Sequence, residues 1–286
     1  MNYQQTELQP GLYLVATPIG HARDITLRAL DVLAAADILA AEDTRTLQKL
    51  LQIHGIPREG RALVAYHDHS SDAAVQRLAG EIRQGRSVAY TSEAGSPLIS
   101  DPGYRLVAEL AREGLPVTVI PGPSAAVAAL SLAGLPTDRF LFLGFPPAKA
   151  AARLSWLADQ AHSGATQVIY ESPRRIGELL EALCETHGPG RPAALCRELT
   201  KTYETVLRGT VSELAEMLRE TPARGECVLV VAGTEAPEAG EEDVETALVN
   251  AMERLSMKDA VKEVAESLGM PRKTVYQMAL SLRQED

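Results

Sequence analysis

A chain of 286 residues, 45% hydrophobic and 23% charged, carries enough apolar material for two cores and an appendage. Its formal net charge of −10 argues against a protein that coats nucleic acid nonspecifically, while a basic groove on an acidic body still allows an RNA ligand. No apolar run approaches the ~20 residues of a membrane-spanning helix, and "MNYQQTELQP" lacks the basic and apolar regions of a signal peptide.

Strand and helix signals alternate through the first part of the chain. The apolar run "LYLVAT" (Leu12–Thr17) predicts a strand, and Thr26–Ala36 has helical periodicity with Thr26 near its start. Further strands are expected at Asp37–Glu42, Arg61–Tyr66, "RSVAYTSE" and "PVTVIPG", with helices up to Gly55 and Gly85 between them. Apolar strands separated by amphipathic helices imply a mostly parallel sheet covered on both faces.

Beyond "PGPSAAVAALSLAGLP" the pattern changes. "RFLFLGF", "TQVIYES", "AALCREL", "YETVLRG" and "CVLVVAG" read as strands, some too closely spaced for an intervening helix, which predicts a mixed sheet with antiparallel pairs. The acidic, Pro- and Gly-rich "TEAPEAGEED" reads as a linker. Three helical segments follow. "KDAVKEVAESLGMPRKTVYQMAL" resembles a helix-turn-helix, with Gly269 at the turn and Arg272, Lys273 and Thr274 opening the second helix. The expected organisation is an α/β domain at 1–122, a second α/β domain at 123–234 and a helical extension at 244–286.

Four loops share one design, an apolar strand followed by Gly, Pro or Ser and then a helix: "ATPIG", "SEAGSP", "PGPSA" and "YESPRR". Strand carboxyl ends lie along one edge of a parallel sheet, where ligands bind. Small residues expose backbone donors and acceptors, and proline fixes the shape of the bend. Neither GxxxxGK[ST] nor a GxGxxG after the first strand is present, so a P-loop and a dinucleotide fingerprint are both excluded. Stiff, backbone-lined loops without lysine suit a nucleoside-like ligand with few phosphates or none. Cys184, Cys196 and Cys227 form no CxxC pair, which points away from a zinc or disulfide framework and toward a reducing cytoplasm. In "YHDHSSD", His67 and His69 share a face if the strand continues, but no third ligand cluster accompanies them, and no metal is expected.

"LYLVATPIG", "AAEDTR", "TSEAGSPLISDPG", "PGPSA", "GFPPAK", "YESPRR" and "RELTKTYE" occur in an order that resembles the tetrapyrrole-methylase superfamily. Within it, the chain resembles the bacterial small-subunit (16S) ribosomal RNA cytidine 2'-O-methyltransferases. The resemblance implies S-adenosylmethionine in a cleft between two α/β domains, a small-subunit rRNA or assembled 30S substrate modified near the decoding centre, and a cytoplasmic homodimer. It places Pro18, Ala94, Gly95, Ser96, Ile99, Ser124, Ala125, Glu171 and Leu199 at the cofactor. The chain departs from the more usual pattern at His21, Glu93 and Ser96, where Asn, Asp and Thr are commoner.

A ribose hydroxyl is a weak acid, so a base or a positive neighbour should assist methyl transfer. The charged segments "EDTR" and "RELTK" are expected at the cleft mouth. There Asp43 or Glu198 would accept the proton, and Arg45, Arg197 and Lys201 would grip phosphate or steady the oxyanion. Arg272 and Lys273 would touch phosphate from the helical extension. Two other readings remain open: a tetrapyrrole C-methyltransferase, and a noncatalytic nucleic-acid-binding protein that senses S-adenosylmethionine.

Overall fold

The computed structural model describes residues 3–67, 70–234, 241–267 and 272–282. The chain forms two compact units, one of residues 1–160 with 166–232 and the other of residues 161–165 with 233–286.

The larger unit holds two sheets. Strands β1 (Gly11–Val15), β2 (Ile38–Ala41), β3 (Ala62–Ala65), β4 (Ser87–Thr91) and β5 (Val117–Ile120) pair in parallel in the order β3-β2-β4-β1-β5. Side chains alternate across them. Val15, Leu39, Ala41 and Ala89 face α1 (Leu27–Ala35) and α2 (Thr44–Ile53). Leu12, Ile38, Ala40, Val88 and Tyr90 face α3 (Asp72–Arg83) and α4 (Tyr104–Arg112). Helices α1 and α2 begin at side-chain caps. The Thr26 hydroxyl accepts from Ala29 N–H at 3.1 Å, and the Asp43 carboxylate accepts from Arg45 N–H at 2.8 Å.

The connection leaving β1 runs to one face of the sheet through α1, and that leaving β4 runs to the other through α4. Because β1 and β4 are neighbours, a crevice opens between them at their carboxyl ends. The expected strand Leu12–Thr17 stops earlier, at Val15, because Thr17 turns to form an antiparallel bridge with Gly95 from the loop after β4.

Strands β6 (Phe140–Gly144), β7 (Thr166–Glu171), β8 (Pro192–Arg197), β9 (Thr205–Thr210) and β10 (Cys227–Val231) form the second sheet, ordered β6-β7-β10-β8-β9. Only β6 and β7 run parallel; the other pairs are antiparallel. This is the mixed sheet that the closely spaced strands predict. Helices α6 (Ala150–Ala158), α7 (Ile176–His187) and α8 (Val211–Glu220) cover one face around Leu179, Leu183, Leu214 and Leu229. Helix α5 (Ala125–Ala133) covers the other, packing Ala129, Leu130 and Ala133 on Val168, Ala194 and Val230. Ile19, from the loop after β1, joins this second core. The two sheets are thereby stitched together through apolar contact, not through their connecting chain alone.

In the smaller unit, α9 (Glu241–Met252), α10 (Met257–Ser267) and α11 (Arg272–Leu282) bury Val244, Leu248, Val261, Val264, Val275 and Ala279 together. Gly269, the expected turn residue, lies outside the described residues. Among the described residues no helix is long and apolar enough to cross a membrane. All three cysteines are free.

Candidate active site

At the carboxyl edge of the first sheet, facing the second, lies a cleft of ≈ 810 Å³. Its first-sheet wall is made of loops with little side-chain bulk. Pro18, Ile19 and Gly20 follow β1, Glu93–Ser96 and Ile99 follow β4, and Ser124 and Ala125 lead into α5. These loops hold one another through backbone contacts. Thr17 N–H donates to Gly95 O at 2.9 Å, Gly95 N–H returns to Thr17 O at 3.0 Å, and the Ser96 hydroxyl donates to Pro123 O at 3.0 Å. Leu98 and Ser100 have φ of 73° and 62°, a left-handed conformation unusual for side-chain-bearing residues. The long junction between β4 and α4 is thus a tightly coiled loop, pinned from below where the Tyr90 hydroxyl donates to Pro102 O at 2.9 Å.

The opposite wall is charged. Glu171, at the end of β7, is 2% exposed. Its Oε1 accepts from Ser172 N–H at 2.6 Å and Arg175 Nε at 2.9 Å and pairs with the second arginine nitrogen at 2.7 Å. Its Oε2 is buried without a hydrogen-bond partner. A buried polar atom left alone is costly, so such an atom in a cleft wall points to a ligand. Beside it, Tyr170 packs edge-on against Phe142 and Phe145. Burial pushes its hydroxyl up to about 12, against the opposing effect of the Ala126 backbone hydrogen bond.

The segment Glu198–Lys201 forms a second charged group. Glu198 and Thr200 have φ of 50° and 63°, strain of a kind that concentrates at functional sites. Lys201 Nζ lies 3.1 Å from Glu198 Oε1 and 3.0 Å from Glu226 Oε2. Burial works against its charge, but hydrogen bonds to both carboxylates outweigh that and raise its pKa. Glu198 Oε1 also accepts from Glu226 N–H at 2.9 Å. That backbone bond, then Lys201, lowers the Glu198 pKa.

Two glycines make this arrangement possible. A Cβ on Gly20 would lie 2.6 Å from both Lys201 Cγ and Thr200 Oγ1 and 2.7 Å from Leu199 O, so the two loops touch here without room for a methyl group. The contact is fastened by His21 N–H donating to Thr200 Oγ1 at 3.0 Å. Gly225, with φ of 77°, gives way to the Glu198 side chain, whose carboxyl carbon occupies the place where a Cβ would stand.

Of the residues singled out in the sequence, Pro18, Ala94, Gly95, Ser96, Ile99, Ser124, Ala125, Glu171 and Lys201 line the cleft together. Leu199 does not; it is 6% exposed and packs in the core under α5. Asp43 caps α2, and Arg45 folds back on it, with a nitrogen 2.9 Å from Asp43 Oδ2. Hydrogen bonds from Arg45 lower the Asp43 pKa. The "EDTR" segment reaches the cleft loops by its first residue, Glu42, whose Oε2 accepts from Glu93 N–H at 3.1 Å. Arg197 donates through Nε and one terminal nitrogen to Arg224 O. Arg272 and Lys273 open α11, in the other unit. The helix α2 supplies Thr46 and Lys49 to the lining, and the strand turn before β10 supplies Glu226. Sequence reasoning missed these three. Only the i, i+3 spacing of Thr46 and Lys49 could have indicated a shared face. Among the described residues no group of three metal-ligating side chains assembles; His69 lies outside them.

A two-sheet α/β body with a ligand cleft at the carboxyl edge of its parallel sheet defines the class. The model for tetrapyrrole (corrin/porphyrin) methylases matches residues 11–215, and the chain belongs to that family. A second model, for the RsmI C-terminal HTH domain, matches residues 238–283. The chain is 45% identical over 278 residues to ribosomal RNA small subunit methyltransferase I of Mesorhizobium japonicum, covering 96% of this chain and 93% of that one. It is 42% identical over 275 residues to the protein of the same name from Escherichia coli O157:H7, covering 95% of each. Among solved structures, uroporphyrin-III-C-methyltransferase from Thermus thermophilus superposes with a TM-score of 0.55 at 28% identity. That match spans 94% of the Thermus chain but only 78% of this one.

Proposed function

We propose that the protein transfers a methyl group from S-adenosylmethionine to the 2'-hydroxyl of a cytidine in 16S ribosomal RNA, near the decoding centre. One observation carries this reading over a tetrapyrrole substrate. The likeness to the rRNA methyltransferases runs the length of the chain, helical unit included, whereas the tetrapyrrole methylase structures leave about a fifth of it unmatched. The proposal includes an assembled 30S acceptor, a homodimer and a cytoplasmic location. It divides the chain into functional modules at 1–122, 123–234 and 244–286.

The residues present fit the cofactor. The small side chains of Ala94, Gly95, Ser124 and Ala125 leave backbone groups open to a nucleoside, and Glu171 Oε2 offers a spare acceptor to a donor or a positive group. When bound, S-adenosylmethionine supplies an electrophilic methyl group on a sulfonium. Asp43, Glu198 and Lys201 form the catalytic set. Lys201, kept charged by its two carboxylates, meets the negative charge developing on the acceptor oxygen. Asp43 and Glu198, both with lowered pKa, stay ionised at neutral pH, and one or the other, as a weak base, receives the proton directly or through water. Positioning of the two reactants therefore supplies the larger share of the rate. Arg45, Arg272 and Lys273 grip RNA phosphates, and Arg197 adds its charge from a position fixed on Arg224 O.

The test is incubation with tritiated S-adenosylmethionine and, separately, small ribosomal subunits, naked 16S rRNA and a porphyrinoid. Label in 2'-O-methylcytidine from subunits is the expected result. Label in the porphyrinoid, or in no acceptor, refutes the reading.

A further inference from the structure

A second, smaller pocket of ≈ 180 Å³ adjoins the cleft and shares Pro18, Gly20, Thr46, Lys49 and Glu93 with it. Strand alternation decides what lies in its floor. Thr91 ends β4 two residues beyond Ala89 and so falls on the α2 face, and Thr17, just past the end of β1, lines the same pocket. Both line the pocket, at 4% and 1% exposure, and neither hydroxyl oxygen has a hydrogen-bond partner. Two orphaned hydroxyls in one pocket are unusual, because a buried polar group normally finds a partner in the protein. The facing wall, from α2, is aliphatic: Leu47, Leu50 and Ile53.

An aliphatic wall, a floor with two hydroxyls and a charged rim together describe a slot for a flat ring with a polar edge. Its volume falls below the roughly 300–1,000 Å³ of pockets for whole drug-sized ligands, so it takes one ring and not a nucleoside cofactor. We infer that this pocket receives the base of the target nucleotide, turned out of the RNA so that its ribose faces the main cleft. The inference rests on the RNA methyltransferase reading above. A threonine hydroxyl can donate or accept and serves either pyrimidine. The Glu93 carboxylate at the rim accepts only, which favours the exocyclic amine of cytosine over the carbonyl of uracil. Lys49, on the same rim, suits the nucleotide's phosphate.

The full-length protein is assayed with small ribosomal subunits and tritiated S-adenosylmethionine, and cofactor binding is measured separately by calorimetry. Wild-type transfer to the subunits establishes the underlying reading; its absence ends that reading and this inference with it. Given transfer, Thr91→Val, nearly isosteric, is expected to lower kcat/KM for subunits about tenfold, with S-adenosylmethionine affinity unchanged. Thr91→Ser, which restores the hydroxyl and leaves a small void, is expected to recover most of the activity. A purely structural role gives the reverse order, with Ser worse than Val, and overturns the inference. So does a parallel loss of cofactor affinity in Thr91→Val, which would assign the pocket to the donor, and so does wild-type activity in that variant. Glu93→Gln is expected to reduce the preference of the enzyme for a cytidine over a uridine at the target position; an unchanged preference removes the role given to Glu93.

Discussion

The two walls of the cleft are built on different principles. On the first-sheet side, loops of small residues present backbone, and the contacts that shape them tie separate loops together, as in the Thr17–Gly95 bridge. On the second-sheet side the lining is charged: Lys201 pairs with Glu198 within its own turn and with Glu226 from the segment before β10, and Glu171 pairs with Arg175 four residues on. Backbone walls fix shape and change little with pH or salt. Charged walls supply field and can be disabled one atom at a time. The contrast suggests a division of labour, with the donor held chiefly by the first wall and the acceptor oxygen served by the second.

The sharpest way to break that division is Lys201→Met, which keeps the aliphatic stem and removes the ammonium. Methyl transfer to small subunits should fall about 10²–10³-fold in kcat, while calorimetry should find S-adenosylmethionine binding within about twofold of wild type. Equal losses in both would mean that the charged wall also holds the donor.

Next in size is Gly20→Ala, which strikes the point where the walls touch. A methyl group there meets the backbone oxygen of Leu199 as well as Thr200 and Lys201, so one of the loops must shift. A displacement approaching 1 Å costs about 10²-fold in rate. Gly225→Ala acts on the charged wall alone, driving Glu198 from beneath Lys201, and should cost less in rate because that flexible side chain can move aside, the φ of 77° adding backbone strain that falls on stability. Single-turnover rates of the two variants rank them; a larger loss in Gly225→Ala would reverse the assignment.

The same contrast explains what could be read in the sequence. The first wall was legible because its signals are local: an apolar strand, a Gly/Pro/Ser bend and a helix start sit within about ten residues of one another. Alternating strand and helix signals likewise marked the parallel sheet, closely spaced strands the mixed one, and a run of helical segments the smaller unit. The second wall was legible only as charged segments. That Glu198 faces Glu226 depends on pairing of β8 with β10 and on the missing side chain at Gly225, neither of which has a local pattern. Leu199 shows the limit from the other side. It lies in the charged motif "RELTK", yet its side chain packs in the core under α5, because neighbours in a tight turn point in different directions. Lys49 went unnoticed because it belongs to a helix face and not to a loop.

Away from the cleft the two lobes differ again in how their loops are tied. The second lobe uses a capping box at α8, where Glu213 N–H donates to the Thr210 hydroxyl and Thr210 N–H to the Glu213 carboxylate. Thr210→Ala should destabilise the protein by about 1 kcal/mol, measured by urea unfolding at pH 7, and leave kcat unchanged. A change in kcat would show that α8 communicates with the Lys201 segment.

The smallest expected effect is in the first lobe, where the corresponding tie is ionised. Asp37 Oδ2 accepts from the Ser87 hydroxyl at 2.6 Å and Ser87 N–H at 2.8 Å, and Asp37 N–H donates to Ser87 Oγ at 3.0 Å, locking the start of β2 to β4. The Ser87 hydroxyl first, then its N–H and the charge of Arg86, hold the Asp37 carboxyl below the ordinary range against a desolvation penalty. A depressed folded-state pKa contributes stability that is present above the unfolded value near ~4. That contribution disappears as pH falls through the lower folded value. Because Asp37 is exposed, solvent screening keeps the contribution under about 1 kcal/mol. Urea midpoints of wild type and Asp37→Asn should therefore differ at pH 7, converge as the pH drops below ~4 and coincide under more acid conditions. A difference that stays flat or widens in acid would mean that the amide disturbs the strand junction sterically and that the charge on Asp37 contributes nothing.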